Sequence, residues 1–189
     1  MNKYIIVGIL LIVCSFGLLI NNDLEEKSAQ NISSNTLNVI KENLEEIKPI
    51  VINSEKMETM NIDGENYIGT IIIPSLNLEL PVMEECNYDN LRKAPCKYYG
   101  SIYTNDLIIC GHSYKSHFKY LSNLKQNDKI VFVGVNGIKY TYEVLETEIL
   151  NPKEVDSMIN NDFDLTLYTC TNDGLNRVTI RCNRVNETI

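Results

Sequence analysis

Residues Tyr4 to Ile20 read YIIVGILLIVCSFGLLI, without a single charge, and no other stretch constrains the fold of this chain so tightly. A helix needs about 17–25 mostly apolar residues to cross the hydrocarbon core of a bilayer, whereas about 10–14 suit a signal-peptide core. Lys3 precedes the run, and Asp23, Glu25 and Glu26 follow it. Positive charge before a span favours an N-terminus inside and the remaining chain outside. A cleaved secretory signal needs small residues at its cleavage site, and Ile20-Asn21-Asn22-Asp23 offers none. A lipoprotein signal would need a small residue before Cys14, where Val13 stands. The expectation is an uncleaved signal anchor with an extracytoplasmic domain.

Residues 21–60 are polar, rich in Asn, Glu, Ser and Lys. Within them Leu37, Ile40, Leu44 and Ile47 recur at helical spacing, with Ser33, Ser34 or Asn35 as a cap and Pro49 as a stop. A short amphipathic helix in a stalk is expected, its apolar face packed on a core. From about Tyr67 the pattern changes to short β-type runs between turn residues. These are Gly69–Ile73, Leu78–Leu80, Leu107–Cys110, Lys129–Val135, Ile138–Leu145, Leu165–Cys170 and Arg177–Cys182. Asn136-Gly137 predicts a type I′ hairpin, and Glu154–Ile159 a short helix. Six to eight strands with few helices predict an antiparallel barrel or sandwich.

The 189 residues suffice for one well-cored domain plus an appendage. A net charge of −8 supplies no cluster of Lys and Arg for phosphates, which argues against nucleic-acid partners. Five of the six cysteines lie beyond the leader, an odd number that leaves at least one thiol unpaired in an exported domain. Cys110 and Cys182 read as small buried hydrophobes. Cys86 and Cys96 lie in a loop-like stretch and could pair as a disulfide.

The chain has two histidines, His112 and His117. His112 follows the strand Leu107–Cys110 across Gly111, which would permit a sharp exit and present the imidazole at the strand's end. Cys170 also ends a strand, ahead of the polar loop Thr171-Asn172-Asp173-Gly174. A rim thiol beside an imidazole is how cysteine nucleophiles are activated, because the thiolate attacks and a nearby cation stabilises it. The histidine can then protonate a leaving amine. Arg177 opens the strand after that loop, so a hairpin would return its guanidinium to the same rim as an oxyanion stabiliser.

Thr166-Leu167-Tyr168-Thr169-Cys170 matches the TLxTC signature of the sortases, with Arg177 at the usual short distance and Gly111-His112-Ser113 similar to the family's histidine segment. The resemblance covers roughly residues 66–185. It implies an all-β fold: a closed eight-stranded sortase-type barrel with one or two short helices, preceded by an N-terminal transmembrane helix. The implied organisation is an anchor at 1–20, a polar stalk with its helix at 21–61, and a catalytic barrel at 62–189. The implied reaction is cleavage of an LPXTG-like sorting signal between Thr and Gly, through a thioacyl enzyme that an amine resolves. Carried over by residue, Cys170 is the nucleophile, His112 the acid/base, and Arg177 the oxyanion or substrate stabiliser. Thr169 helps shape the oxyanion pocket, and Arg181 competes for the role of Arg177 because both share a strand face. No metal or other cofactor is implied. The implied partners are surface proteins bearing sorting signals, a peptidoglycan-precursor or pilin amine, and the cell membrane. The compact Asn151–Asp164 segment and short stalk resemble class A or class D more than class B or C.

Three rivals stand beside this reading. A different extracellular cysteine peptidase fits less well, since papain-like enzymes place Cys before His. Zinc could be held by Cys110, His112 and His117, but no CxxC pair supports it. An anchored, non-enzymatic barrel could display a binding surface from the eleven tyrosines.

Overall fold

The computed structural model describes residues 3–46 and 56–185. Its first element is one continuous helix, α1 (Lys3–Glu46). The expected helix of the stalk is therefore the lower half of the same rod as the apolar run, and Ser33 caps nothing. Ser33 donates instead to the Lys93 carbonyl at 2.7 Å. Ala29, Ser33, Thr36 and Ile40 are buried, three or four residues apart, so they form one stripe. Ile40 and Leu44 pack with Tyr67, Met83, Ala94, Cys96 and Cys110 on the outside of the barrel. By contrast the side chains from Tyr4 to Ile20 are mostly exposed, including Leu10, Leu11, Ile12 and Phe16. Ile47 and Pro49, read above as the helix's last apolar position and its stop, lie outside the described residues.

Nine strands follow among the described residues: β1 (Met60–Ile62), β2 (Glu65–Ile73), β3 (Leu78–Met83), β4 (Cys96–Tyr99), β5 (Leu107–Cys110), β6 (Lys129–Gly134), β7 (Lys139–Leu150), β8 (Leu165–Cys170) and β9 (Arg177–Arg184). Their order is β1-β2-β3-β4-β5-β8-β9-β7-β6, and β2 also pairs with β6. That pairing, from Gly69↔Gly134 to Ile72↔Val131, closes eight strands, β2 to β9, into a barrel. β1 stays outside it as a short strand on the start of β2. Closure removes the sheet edges that would otherwise invite pairing with other chains. Two short helices interrupt the strands, α2 (Tyr88–Leu91) and α3 (Val155–Ile159).

Alternation fills the interior. Ile71, Ile73, Val82, Leu107, Ile109, Phe132, Leu165, Leu167 and Ile180 belong to one buried cluster, each contributing on the order of 1.5–3 kcal/mol through removal from water. The β6–β7 hairpin is present, but its turn is not type I′. That turn needs positive φ at both central residues, and here Gly137 has φ 78° while Asn136 is absent from the left-handed region. The Gly137 amide bonds the Gly134 carbonyl at 2.9 Å. The buried Asn136 side chain accepts from the Ile138 amide and donates to the Tyr103 hydroxyl. Asn136 thus braces the loop inside the fold, a tertiary role that the dipeptide signal does not show. Strand β4 arises in a stretch that reads as loop, because its four residues Cys96–Tyr99 carry no clear alternation.

Candidate active site

β8 and β9 form an antiparallel hairpin whose register runs from Leu165↔Cys182 to Cys170↔Arg177. Leu165, Leu167, Val178, Ile180 and Cys182 face the core, so Thr166, Tyr168 and Cys170 share the outer face with Arg177, Thr179 and Arg181. Cys170 and Arg177 are directly opposed, which sets their Cβ atoms about 4.5–5.5 Å apart on one face. The connecting loop is held by its own bonds. The Thr171 amide donates to the Asn176 carbonyl at 2.9 Å, and the Asn176 amide donates to the Thr171 hydroxyl at 3.0 Å.

β5 lies parallel to β8, with Cys110 opposite Tyr168. The Gly111 amide donates to the Tyr168 carbonyl at 3.0 Å, and the Thr169 hydroxyl donates to the Gly111 carbonyl at 2.8 Å. His112 and Cys170 are each two residues beyond the Cys110–Tyr168 pair, on adjacent chains leaving the same rim. The structure therefore brings His112, Cys170 and Arg177 to one edge of the barrel. Gly111 has a role other than a sharp exit, for its φ is not positive. A Cβ there would lie 2.4 Å from the Phe118 ring, so glycine is needed for room.

Thr169 is almost fully buried, its hydroxyl occupied by Gly111. The two arginines differ as their depth along the strand suggests. Arg181 is 2% exposed. It donates to Glu148 at 2.6 Å, to the Thr166 hydroxyl at 2.9 Å, and to the Ser157 and Met158 carbonyls. Those bonds pin α3 to the sheet. Arg177 is half-buried, and its guanidinium bonds only the adjacent Asn176 carbonyl among the described residues. It lines a cleft on the outer face with Tyr98, Asn151, Val155, Met158 and Tyr168. Tyr98 and Tyr168 meet there edge to face, with centroids 5.5 Å apart.

The histidine segment carries contacts that no local sequence signal reveals. The His112 ring stacks on Tyr114, with centroids 4.0 Å apart and planes 8° from parallel. Its Nδ1 is buried without a hydrogen-bond partner among the described residues. Burial holds the imidazole below its ordinary pKa, opposed by the negative charge of Glu25 and assisted by the positive charge of Arg92. Both residues come from distant sequence. Glu25, on α1, pairs with Arg92 and accepts from the Tyr114 hydroxyl at 3.4 Å. Glu26 accepts from the Lys115 amide at 3.0 Å. His117 is not at the rim but is buried beneath α1, its Nε2 3.2 Å from the Ser33 hydroxyl. Burial, and then the proximity of His112, push His117 down to about 4.

Comparison with known proteins identifies the family and the fold. A model of the sortase domain matches residues 71–185. Sortase A of Bacillus anthracis is 28% identical over 193 aligned positions, covering 90% of this chain and 89% of that protein. Sortase D of Bacillus subtilis (strain 168) is 27% identical over 107 residues, so the chain matches only about half of that relative's length, 53%. Among solved structures, the Clostridium perfringens sortase D5 transpeptidase superposes with a TM-score of 0.63 at 18% identity, covering 82% of this chain and 99% of that one. Sortase A of Corynebacterium diphtheriae gives 0.58 at 20% identity, covering 89% and 96%. Both likenesses speak for the barrel. With the sortase-domain match running from β2 through β9, the chain belongs to the sortase family.

Proposed function

We propose that the chain is a membrane-anchored cysteine transpeptidase that cleaves an LPXTG-like sorting signal between Thr and Gly and transfers the acyl group to a cell-wall amine. The observation that carries the proposal is the opposed pair Cys170↔Arg177 with His112 leaving the neighbouring strand in step. The Cys170 thiolate attacks the threonine carbonyl, and the carbonyl oxygen becomes an oxyanion facing the Arg177 guanidinium. As the intermediate collapses to a thioester, His112 gives its proton to the departing glycine nitrogen. The acceptor amine then attacks the thioester, His112 takes the amine's proton, and the Cys170 thiolate is released.

Thr169 acts at a distance from the substrate. Its buried hydroxyl holds the Gly111 carbonyl, and through it the start of the His112 segment. The cleft beside Arg177 supplies an aromatic and apolar wall from Tyr98, Val155, Met158 and Tyr168, suited to the apolar part of a sorting peptide. A single five-residue helix, α3, occupies the segment before β8, in keeping with a class A or D type. The apolar exposed half of α1 supports anchoring, with the surface proteins and the peptidoglycan-precursor or pilin amine presented at the same membrane.

The test is a panel of LPXTG-like peptides incubated with the purified chain and hydroxylamine or a short amine. The expected products are a fragment ending in threonine joined to the amine and a fragment beginning with glycine. Both should vanish in Cys170→Ala while circular dichroism stays native. Undiminished turnover by Cys170→Ala, or no cleavage of any peptide, would overturn the proposal.

A further inference from the structure

Three cysteines meet beneath α1, away from the proposed nucleophile. Cys96 and Cys110 are opposed partners on β4 and β5, and both are buried. Cys86 lies in the loop after β3 and is exposed. The pairing suggested by loop position, Cys86 with Cys96, is not the one that the structure favours. The Cys86 sulfur is 2.7 Å from that of Cys110, within about an ångström of the ~2.05 Å of a disulfide bond. The Cys96 thiol is turned toward the Ala94 carbonyl at 3.3 Å. Among the described residues no group of three or more His, Cys, Asp or Glu side chains is arranged to hold a metal.

We propose that Cys86 and Cys110 form an oxidisable dithiol whose disulfide fastens the β3–β4 loop to β5, the strand that leads into the His112 segment. The two residues are 24 apart in sequence, and the segment they would close includes α2, β4 and Arg92. Cys110 lies two residues before His112, so the cross-link would brace the root of the histidine segment.

The accessibilities set an order of events with a small disulfide, RSSR, as oxidant. The exposed Cys86 thiolate attacks one sulfur of RSSR, forming a mixed disulfide and releasing one RS⁻. Cys110 then loses its proton and attacks the Cys86 sulfur, expelling the second RS⁻. Two thiols are oxidised and one RSSR is reduced to two RSH. The bond from Cys110, and then that from Cys96, lower the Cys86 pKa and so favour its thiolate as the attacking form. The same bond to Cys86, with burial, pushes Cys110 up. Capping Cys86 as a mixed disulfide removes the first of those causes and frees Cys110 to act second.

The experiment uses the full chain in detergent carrying Cys170→Ala, so that the proposed nucleophile does not compete. Reduced protein is treated with oxidised glutathione, blocked with maleimide, and cut with trypsin without reductant. Trypsin places the three cysteines on separate peptides, Met57–Arg92, Ala94–Lys97 and Tyr98–Lys115. The expected product joins Met57–Arg92 to Tyr98–Lys115 and leaves Ala94–Lys97 bearing maleimide. Oxidation should also raise Tm by about 5–10 °C, a shift absent in Cys86→Ser, which alters an exposed side chain and should fold. Linkage of Cys86 to Cys96, glutathione left on Cys86, or maleimide on all three thiols would overturn the proposal. None of these readouts depends on transpeptidase activity, so a failure here and a failure of the proposed function are distinguishable.

Discussion

Arg177 and Arg181 sit four residues apart on one face of one strand, yet the fold uses them differently. Arg181 is buried and committed to four partners, whereas Arg177 is half-exposed beside the Cys170 position. Losing one oxyanion-type donor costs about 10²–10³ in turnover. Arg177→Ala should therefore lose at least about a hundredfold in peptide cleavage, while iodoacetamide still labels Cys170. Arg181→Ala should lower stability by about 3 kcal/mol, toward the low end for breaking a buried ion pair because Glu148 keeps contact with water. Urea titration of both variants checks this, and loss of turnover confined to Arg181→Ala would exchange the two roles. A pH profile reads the His112 environment directly. Burial depresses its pKa, so the acid limb of kcat/KM should fall below about 6.5, the ordinary imidazole value. Glu25 pulls the value up, so Glu25→Gln should move that limb to still lower pH. A limb above the ordinary value, or an upward move in the variant, would refute the assignment.

The histidine segment from Gly111 to Tyr120 behaves as an element without being a helix or strand. It is pinned at Gly111 by Thr169, internally by the Phe118 amide bonding the His112 carbonyl at 3.1 Å, and from above by α1 through Ser33 and His117. His117 has a folded pKa of about 4, below the ordinary value near 6.5, so the unfolded chain binds its proton first as pH falls. Its contribution to stability is thus intact above about pH 6.5, declines as pH falls toward the folded value, and is fully lost below it. The shift corresponds to at most about 3 kcal/mol. Urea unfolding at pH 7 and pH 4.5 should show a smaller drop for His117→Gln than for the parent chain. Equal drops would mean that another group carries the acid sensitivity.

At the scale of the molecule, α1 joins the apolar run to the segment that packs on the barrel in one continuous helix. Its apolar half projects from the fold, and Glu25 and Glu26 reach the histidine segment only five or six residues after Ile20. At 1.5 Å per residue that is about 8 Å of helix. On the anchored reading, the proposed active-site rim lies close to where the apolar run ends, near the surface from which membrane-borne substrates arrive. The topology has its own test. Lys3 before the run and acidic residues after it favour a barrel on the outside on that reading, so protease added to intact protoplasts should digest it while the N-terminal fragment stays with the membrane. Full protection would reverse the orientation.

Much of this architecture is written locally in the sequence. The helical nature of Tyr4–Ile20 follows from an uncharged run, the strands from alternation, and the candidate triad from residue types at strand ends ahead of polar loops. These are local signals, carried by neighbours in the chain. The eight-strand closure, β4, the continuity of the apolar run with the polar helix after it, and the burial of Thr169 and His117 have no such signal. Each depends on which distant surfaces meet: β2 with β6, Ser33 with His117, Glu25 with Arg92. Spacing along the chain suggested Cys86 with Cys96, but β4 and β5 set Cys96 and Cys110 side by side and the β3–β4 loop brought Cys86 to Cys110. Pattern and propensity act within a few residues, whereas the partner of a buried polar atom or a thiol is set by packing across the whole barrel.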